Sequence, residues 1–141
     1  MQNACQPLYL DGANITGRAS ADVVGKRFVK ISGNGTEGLV PVAHAGATDD
    51  VWGVSGYNAA SGEVLPTIRK GVVPVTAGAN LTANQLVQPA GDGSGKAVVY
   101  VPATIDATAA NNALPLPTKR PAGRVLFDAV SGNDAFIVLF E

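Results

Sequence analysis

The feature that most constrains the fold of this chain is a stretch that is written twice. Residues 53–62, Gly-Val-Ser-Gly-Tyr-Asn-Ala-Ala-Ser-Gly, return 70 positions later as residues 123–132, Gly-Arg-Val-Leu-Phe-Asp-Ala-Val-Ser-Gly. Gly53, Ala59, Ser61 and Gly62 are matched by Gly123, Ala129, Ser131 and Gly132. Tyr57 stands against Phe127 and Asn58 against Asp128, so the substitutions keep their physical type. In each copy an apolar run ends in a polar, glycine-containing turn and a second apolar run follows, which is the pattern of a β-hairpin. A second correspondence lies upstream at an offset of 58. It sets Ala21, Val29, Gly33, Gly35 and Val40 against Ala79, Val87, Gly91, Gly93 and Val98, with Phe28 against Leu86 and Asn34 against Asp92. The two offsets differ by 12, which places about that many extra residues between the blocks of the second copy.

Two similar β-units are therefore expected, and the composition agrees. Seventeen Gly and nine Pro in 141 residues suit short strands and many turns rather than helical bundles. The expected fold is all-β, a compact β-barrel or sandwich-like domain built from the two units. Unit one is expected over residues 21–76 and unit two over 77–141, with an inserted loop at 102–121. Residues 1–20 read as an extended arm whose apolar points are Leu8, Tyr9, Leu10 and Ile15. Too few apolar residues lie there to make a core, so the arm must dock or stay loose.

Charge and cysteine usage narrow the function. A net charge of −1 argues against a general nucleic-acid binder, which would carry a basic face. No uninterrupted apolar run approaches the length of a membrane span. The N-terminus lacks the basic region and apolar stretch of a secretory signal. The one cysteine, Cys5, has no partner for an internal disulfide. Folding in a reducing cytoplasm is the expectation. Only 15% of residues are charged while 46% are hydrophobic, mostly Val and Ala, which points to apolar surface shared between subunits.

Groups able to do chemistry are scarce. His44 is followed by Asp49 and Asp50, but a metal site needs three or more converging ligands and this spacing supplies no known set. Ser61 and Ser131 sit in turns without a neighbouring histidine to act as base. The loop Gly91-Asp-Gly-Ser-Gly95 lacks the Gly-Lys-Ser/Thr of a phosphate cradle. Asp92 and Asp128 read as turn formers rather than calcium ligands. The pairs Lys26-Arg27 and Lys119-Arg120 are too short for a nucleic-acid patch. No catalytic, cofactor-binding or metal-binding residue is assigned, and the chain is not expected to be an enzyme. Binding through surfaces and strand edges is the expected occupation.

Several segments resemble the small capsid decoration proteins of tailed bacteriophages, also called cement or head-stabilisation proteins. They are Thr76-Ala-Gly-Ala-Asn-Leu-Thr-Ala-Asn-Gln-Leu-Val87, the glycine-rich turn, the Lys-Ala-Val-Val strand, Ala122-Gly-Arg-Val-Leu-Phe-Asp-Ala-Val-Ser-Gly132 and Phe136-Ile-Val-Leu-Phe140. Val24-Gly-Lys-Arg-Phe-Val-Lys-Ile31 and Val51-Trp-Gly-Val54 fit the same pattern, so the resemblance runs over roughly residues 15–140. It implies a β-rich homotrimer on the outer capsid surface of a virion, made in the host cytoplasm, with the major capsid protein as partner and with no cofactor, nucleic acid or membrane. The arm residues Leu8, Tyr9, Leu10 and Ile15 are then the candidate capsid contacts. Trp52, Tyr57 and Phe127 are the candidate subunit contacts. The alternative is a glycan- or receptor-binding β-domain of a virion fibre or cell surface, although one Trp and three Tyr offer few rings for sugars to stack on.

Overall fold

The computed structural model describes residues 14–102 and 120–140 and is all-β. Ten strands follow the chain: β1 (Asn14–Ala19), β2 (Phe28–Ile31), β3 (Val40–His44), β4 (Gly53–Ser55), β5 (Val64–Ile68), β6 (Val72–Thr76), β7 (Leu86–Pro89), β8 (Ala97–Val99), β9 (Gly123–Val125) and β10 (Asp134–Leu139). The first five close into a barrel in the order β1-β3-β2-β4-β5, and the last five form a sheet in the order β6-β10-β9-β7-β8. Taken around the ring, the two orders are the same.

The repeat is carried by backbone hydrogen bonds. Gly62 donates to the Ala19 carbonyl at 2.7 Å and Gly132 to the Ala77 carbonyl at 2.8 Å. Val23 bridges Ala59 as Leu81 bridges Ala129, both antiparallel. Gly62 and Gly132 hold the same left-handed φ of 90°, which a glycine adopts without the steric penalty other residues meet. Lys26 (φ 58°) and Asn84 (φ 76°) are matching non-glycine positions in that region. In each unit the strands bury alternate small side chains. Unit one encloses Ala19, Val23, Val29, Val42, Ala59 and Leu65. The corresponding residues of unit two, Ala77, Leu81, Val87, Ala97, Ala129 and Ala135, lie in or against its own core.

Three expectations are corrected. Residues 14–19 are not arm: β1 pairs with β5 and lies parallel to β3, and so closes the barrel. The unit boundary also lies earlier than expected, because β6 (Val72–Thr76) joins the second sheet beside β10. The offset of 58 holds for β1/β6 and β2/β7 but not for β3/β8. Ile31 pairs with Val42, whereas Pro89 pairs with Ala97, so the β7–β8 turn is three residues shorter and Val40 is not the counterpart of Val98. Matches among turn glycines carried that expectation, and such glycines report local backbone needs rather than register.

The units differ in how they close. In unit one a parallel ladder joins β1 to β3 through Gly17↔Val40, Arg18↔Pro41 and Ala19↔Val42. In unit two only the bridge Ala77↔Ala97 remains of that seam. Residues 26–28 of unit one fill the opening. Thr76 at one lip donates to the Lys26 carbonyl at 2.9 Å, and Phe28 donates to the Gly95 carbonyl at the other lip at 2.7 Å. Phe28, Ala45 and Val54, all on unit one, are fully buried within the core of unit two. At about 25 cal/mol per Å² of apolar surface, burial of the Phe28 ring alone contributes on the order of 2–3 kcal/mol to docking the units.

Candidate functional site

The groups singled out for chemistry do not converge. His44 accepts the Val24 N–H at Nε2 (3.0 Å) and also bonds the Gly93 backbone. Burial, and then the nearby Arg27 cation, hold its pKa below the ordinary histidine value. Asp49 turns elsewhere: its Oδ2 accepts Lys30 Nζ at 2.9 Å and the Gly46 N–H at 2.7 Å. The Lys30 hydrogen bond, then the one from Gly46, lower its pKa. Asp92 Oδ1 accepts the Ser94 N–H inside its own turn. Among the described residues no group of three or more His, Cys, Asp and Glu side chains is gathered as a metal would need.

Polar side chains are spent on the repeat instead. Asn58 Oδ1 accepts the Gly25 N–H and Asp128 Oδ1 accepts the Ala83 N–H, both at 2.8 Å. Asp22 Oδ1 accepts the Ser61 N–H at 2.9 Å, as Asn80 Oδ1 accepts that of Ser131 at 3.0 Å. Ser61 and Ser131 are thus tied to the segments that follow β1 and β6. These bonds satisfy backbone donors that the hairpin turns would otherwise leave unpaired.

What the structure does expose is apolar surface, and among the described residues most of the exposed large apolar side chains belong to unit two. Val72, Leu126, Phe127, Val130, Phe136 and Phe140 all stand in solvent. Phe127 and Phe136 meet edge to face, with ring centroids 6.4 Å apart, while remaining 64% and 44% exposed. The counterpart positions in unit one are Asn14, Gly56, Tyr57, Ala60, Pro66 and Lys70. Tyr57 and Phe127 therefore sit on matching hairpin tips, both exposed. Trp52, expected at a subunit contact, is half-buried and tied into unit one. Its Nε1 donates to Thr67 Oγ1 at 3.1 Å, and the Arg69 guanidinium lies 3.9 Å from the ring centroid.

Ile15, expected among the capsid contacts of an arm, is a barrel residue. It pairs with Thr67, and its carbonyl accepts the Thr67 hydroxyl at 2.6 Å. Leu8, Tyr9 and Leu10, the remaining arm candidates, lie outside the described residues, as does most of the 102–121 insertion. The apolar face of unit two had one signal in the sequence that was not used. In Ala135-Phe-Ile-Val-Leu139 both alternating sets are apolar, so one set, Ala135, Ile137 and Leu139, fills the core while Phe136 and Val138 face outward.

No protein-family model matches the chain, and no curated protein matches it. Among solved structures, the fold is similar to that of the N base of the head fiber protein gp8.5 of bacteriophage phi29. The likeness has a TM-score of 0.61, covers 91% of this chain and 93% of that one, and comes with 19% sequence identity. What the two proteins share at that identity is the arrangement of the strands.

Proposed function

We propose that this protein is a capsid decoration protein, held on the outer surface of a phage head as a homotrimer and stabilising the shell by bridging major capsid subunits. It is made in the host cytoplasm and acts without catalysis or cofactor. The observation that carries this reading is the likeness, along nine-tenths of both chains, to the base of a phage head fiber. Polar groups spent on turns and an exposed apolar face on unit two are what a binding module needs. Each contact can be weak, because a trimer with several attachment points gains affinity through effective concentration. Residues 1–13 are the candidate capsid-contacting arm, through Leu8, Tyr9 and Leu10, while Tyr57 and Phe127 are candidate subunit contacts.

The test is co-sedimentation of the purified chain with cognate undecorated heads. Saturable binding that is lost on deletion of residues 2–13, with the fold retained, is the expected result. Absence of binding by the intact chain overturns the reading. A second reading is favoured by the same structural likeness: the chain serves as the base on which a surface fibre stands, attached to the head without strengthening it. A glycan array on the same material tests the receptor-binding alternative.

A further inference from the structure

The core of unit one is open at one end of its barrel. Val29 and Val42 are buried inside, and two residues nearer that end the same faces of β2 and β3 carry Ile31 and Val40. Ile31 is 49% exposed, whereas the residue at the same register in unit two, Pro89, is buried. Here Ile31, Gly33, Leu39, Val40 and Pro41 line a groove of about 340 Å³, and none of them is charged. Gly33 is a glycine that the turn itself does not require. Its φ is not left-handed, and a Cβ placed on it would meet open space. Gly35 differs, because a Cβ there would strike the Leu39 carbonyl. The side chain missing at Gly33 therefore keeps the groove open and does nothing for the backbone.

The chain's own N-terminal segment leads to this groove. β1 runs parallel to β3 with Gly17 opposite Val40, so each step back along β1 approaches the β2–β3 turn, and Asn14 comes level with Glu37. Residues 1–10 hold no charged side chain, and their apolar cluster, Leu8, Tyr9 and Leu10, lies four to six positions before Asn14. At about 3.3 Å per residue that is a reach of roughly 13–20 Å. Between them stands Asp11-Gly12, a pair that turns a chain back on itself. The groove is at the small end of the range for ligand pockets, which suits a few side chains of a peptide and not a folded partner. We propose that Leu8, Tyr9 and Leu10 seat in the groove of their own chain, against Ile31, Gly33 and Leu39, and cover the open end of the unit-one core. The free protein then carries its arm folded back on the barrel. A partner that uses those three side chains has to draw them out, and its apparent affinity is lowered by the fraction of chains whose arm is released. This goes beyond the reading above and concerns the free chain, whether or not it binds heads.

Gly33→Leu supplies the test, since it fills the groove from a position where a Cβ meets open space and the fold is retained. In the full native chain, protons of Leu8, Tyr9 and Leu10 should show nuclear Overhauser contacts to Ile31 and Leu39, and these should vanish in Gly33→Leu. Chymotrypsin cleavage after Tyr9 under native conditions should be several-fold faster in the variant, because cleavage follows the released population. Ile31→Asp, at an exposed position, should reproduce both changes with an unaltered circular dichroism spectrum. Contacts of residues 8–10 with any other surface overturn the seat. So do contacts with Ile31 and Leu39 of a second copy, seen in a mixture of labelled and unlabelled chains, and so do equal cleavage rates in the three proteins. A chain that passes these tests and ignores heads leaves the seat standing and sinks the capsid reading. A chain that fails them and binds heads through residues 2–13 does the reverse.

Discussion

The Phe28 N–H of unit one donates to the Gly95 carbonyl of unit two at 2.7 Å, and a Cβ placed on Gly95 would lie 2.6 Å from the Phe28 carbonyl. Gly95 also holds a left-handed φ of 69°. Gly95→Ala therefore meets both a backbone penalty and a collision with backbone, and should cost about 3 kcal/mol in urea unfolding. Gly93 has a φ of 78° but open space around it, so Gly93→Ala should cost only about 1 kcal/mol. Equal losses at the two positions would contradict the close approach.

Phe28 and Leu86 occupy matching strand positions with unequal surroundings. Phe28→Ala removes a ring buried between the units and should cost about 3–5 kcal/mol. Leu86→Ala, on the half-open face of unit two, should cost about 1 kcal/mol in dilute solution. The measurement is the unfolding midpoint of each variant at a fixed denaturant slope.

The paired turns give a prediction about symmetry. Asn58→Ala and Asp128→Ala each remove the acceptor for one backbone N–H, of Gly25 and Ala83 respectively. Each should lower stability by about 1 kcal/mol, and the double variant by about the sum, since the sites lie in different units. A large loss at one site only would mean that the turns are not mechanically equivalent.

His44 is the single histidine of the chain, which isolates its titration. Burial, followed by Arg27, lowers its folded pKa below the unfolded value of 6.5. The unfolded state then binds the proton more readily, so this stability is full above about pH 6.5 and is lost as pH falls through the folded pKa. Asp49, lowered below 3.8 by Lys30 and Gly46, adds a loss of the same sign at lower pH. Urea midpoints measured from pH 8 to 5 should fall for the native chain and stay level for His44→Gln.

The repeat was legible because its turns carry it. Asn58 and Asp128, as side-chain acceptors, and Gly62 and Gly132, at positive φ, each perform one backbone task that few residue types perform. The first strand of each unit was not legible as a pair. In Asn14-Ile-Thr-Gly-Arg-Ala19 and Val72-Val-Pro-Val-Thr-Ala77 only the final alanine agrees, because one outer face is polar and the other apolar. Barrel closure by a parallel β1–β3 ladder depends on residues distant in sequence, and no local period announces it. Trp52 reads from the sequence as core or interface, and its contacts with Arg69 and Thr67 exist only after folding.

The central claim, that the chain strengthens a phage head from outside, is tested most directly by heating DNA-filled cognate heads with and without the purified protein. The release temperature of the DNA, followed by dye fluorescence, is measured while electron microscopy of the same heads records occupancy. A saturable rise of several degrees that tracks occupancy of the outer surface is the predicted result. Heads that are fully occupied yet release their DNA at the unchanged temperature would contradict the claim.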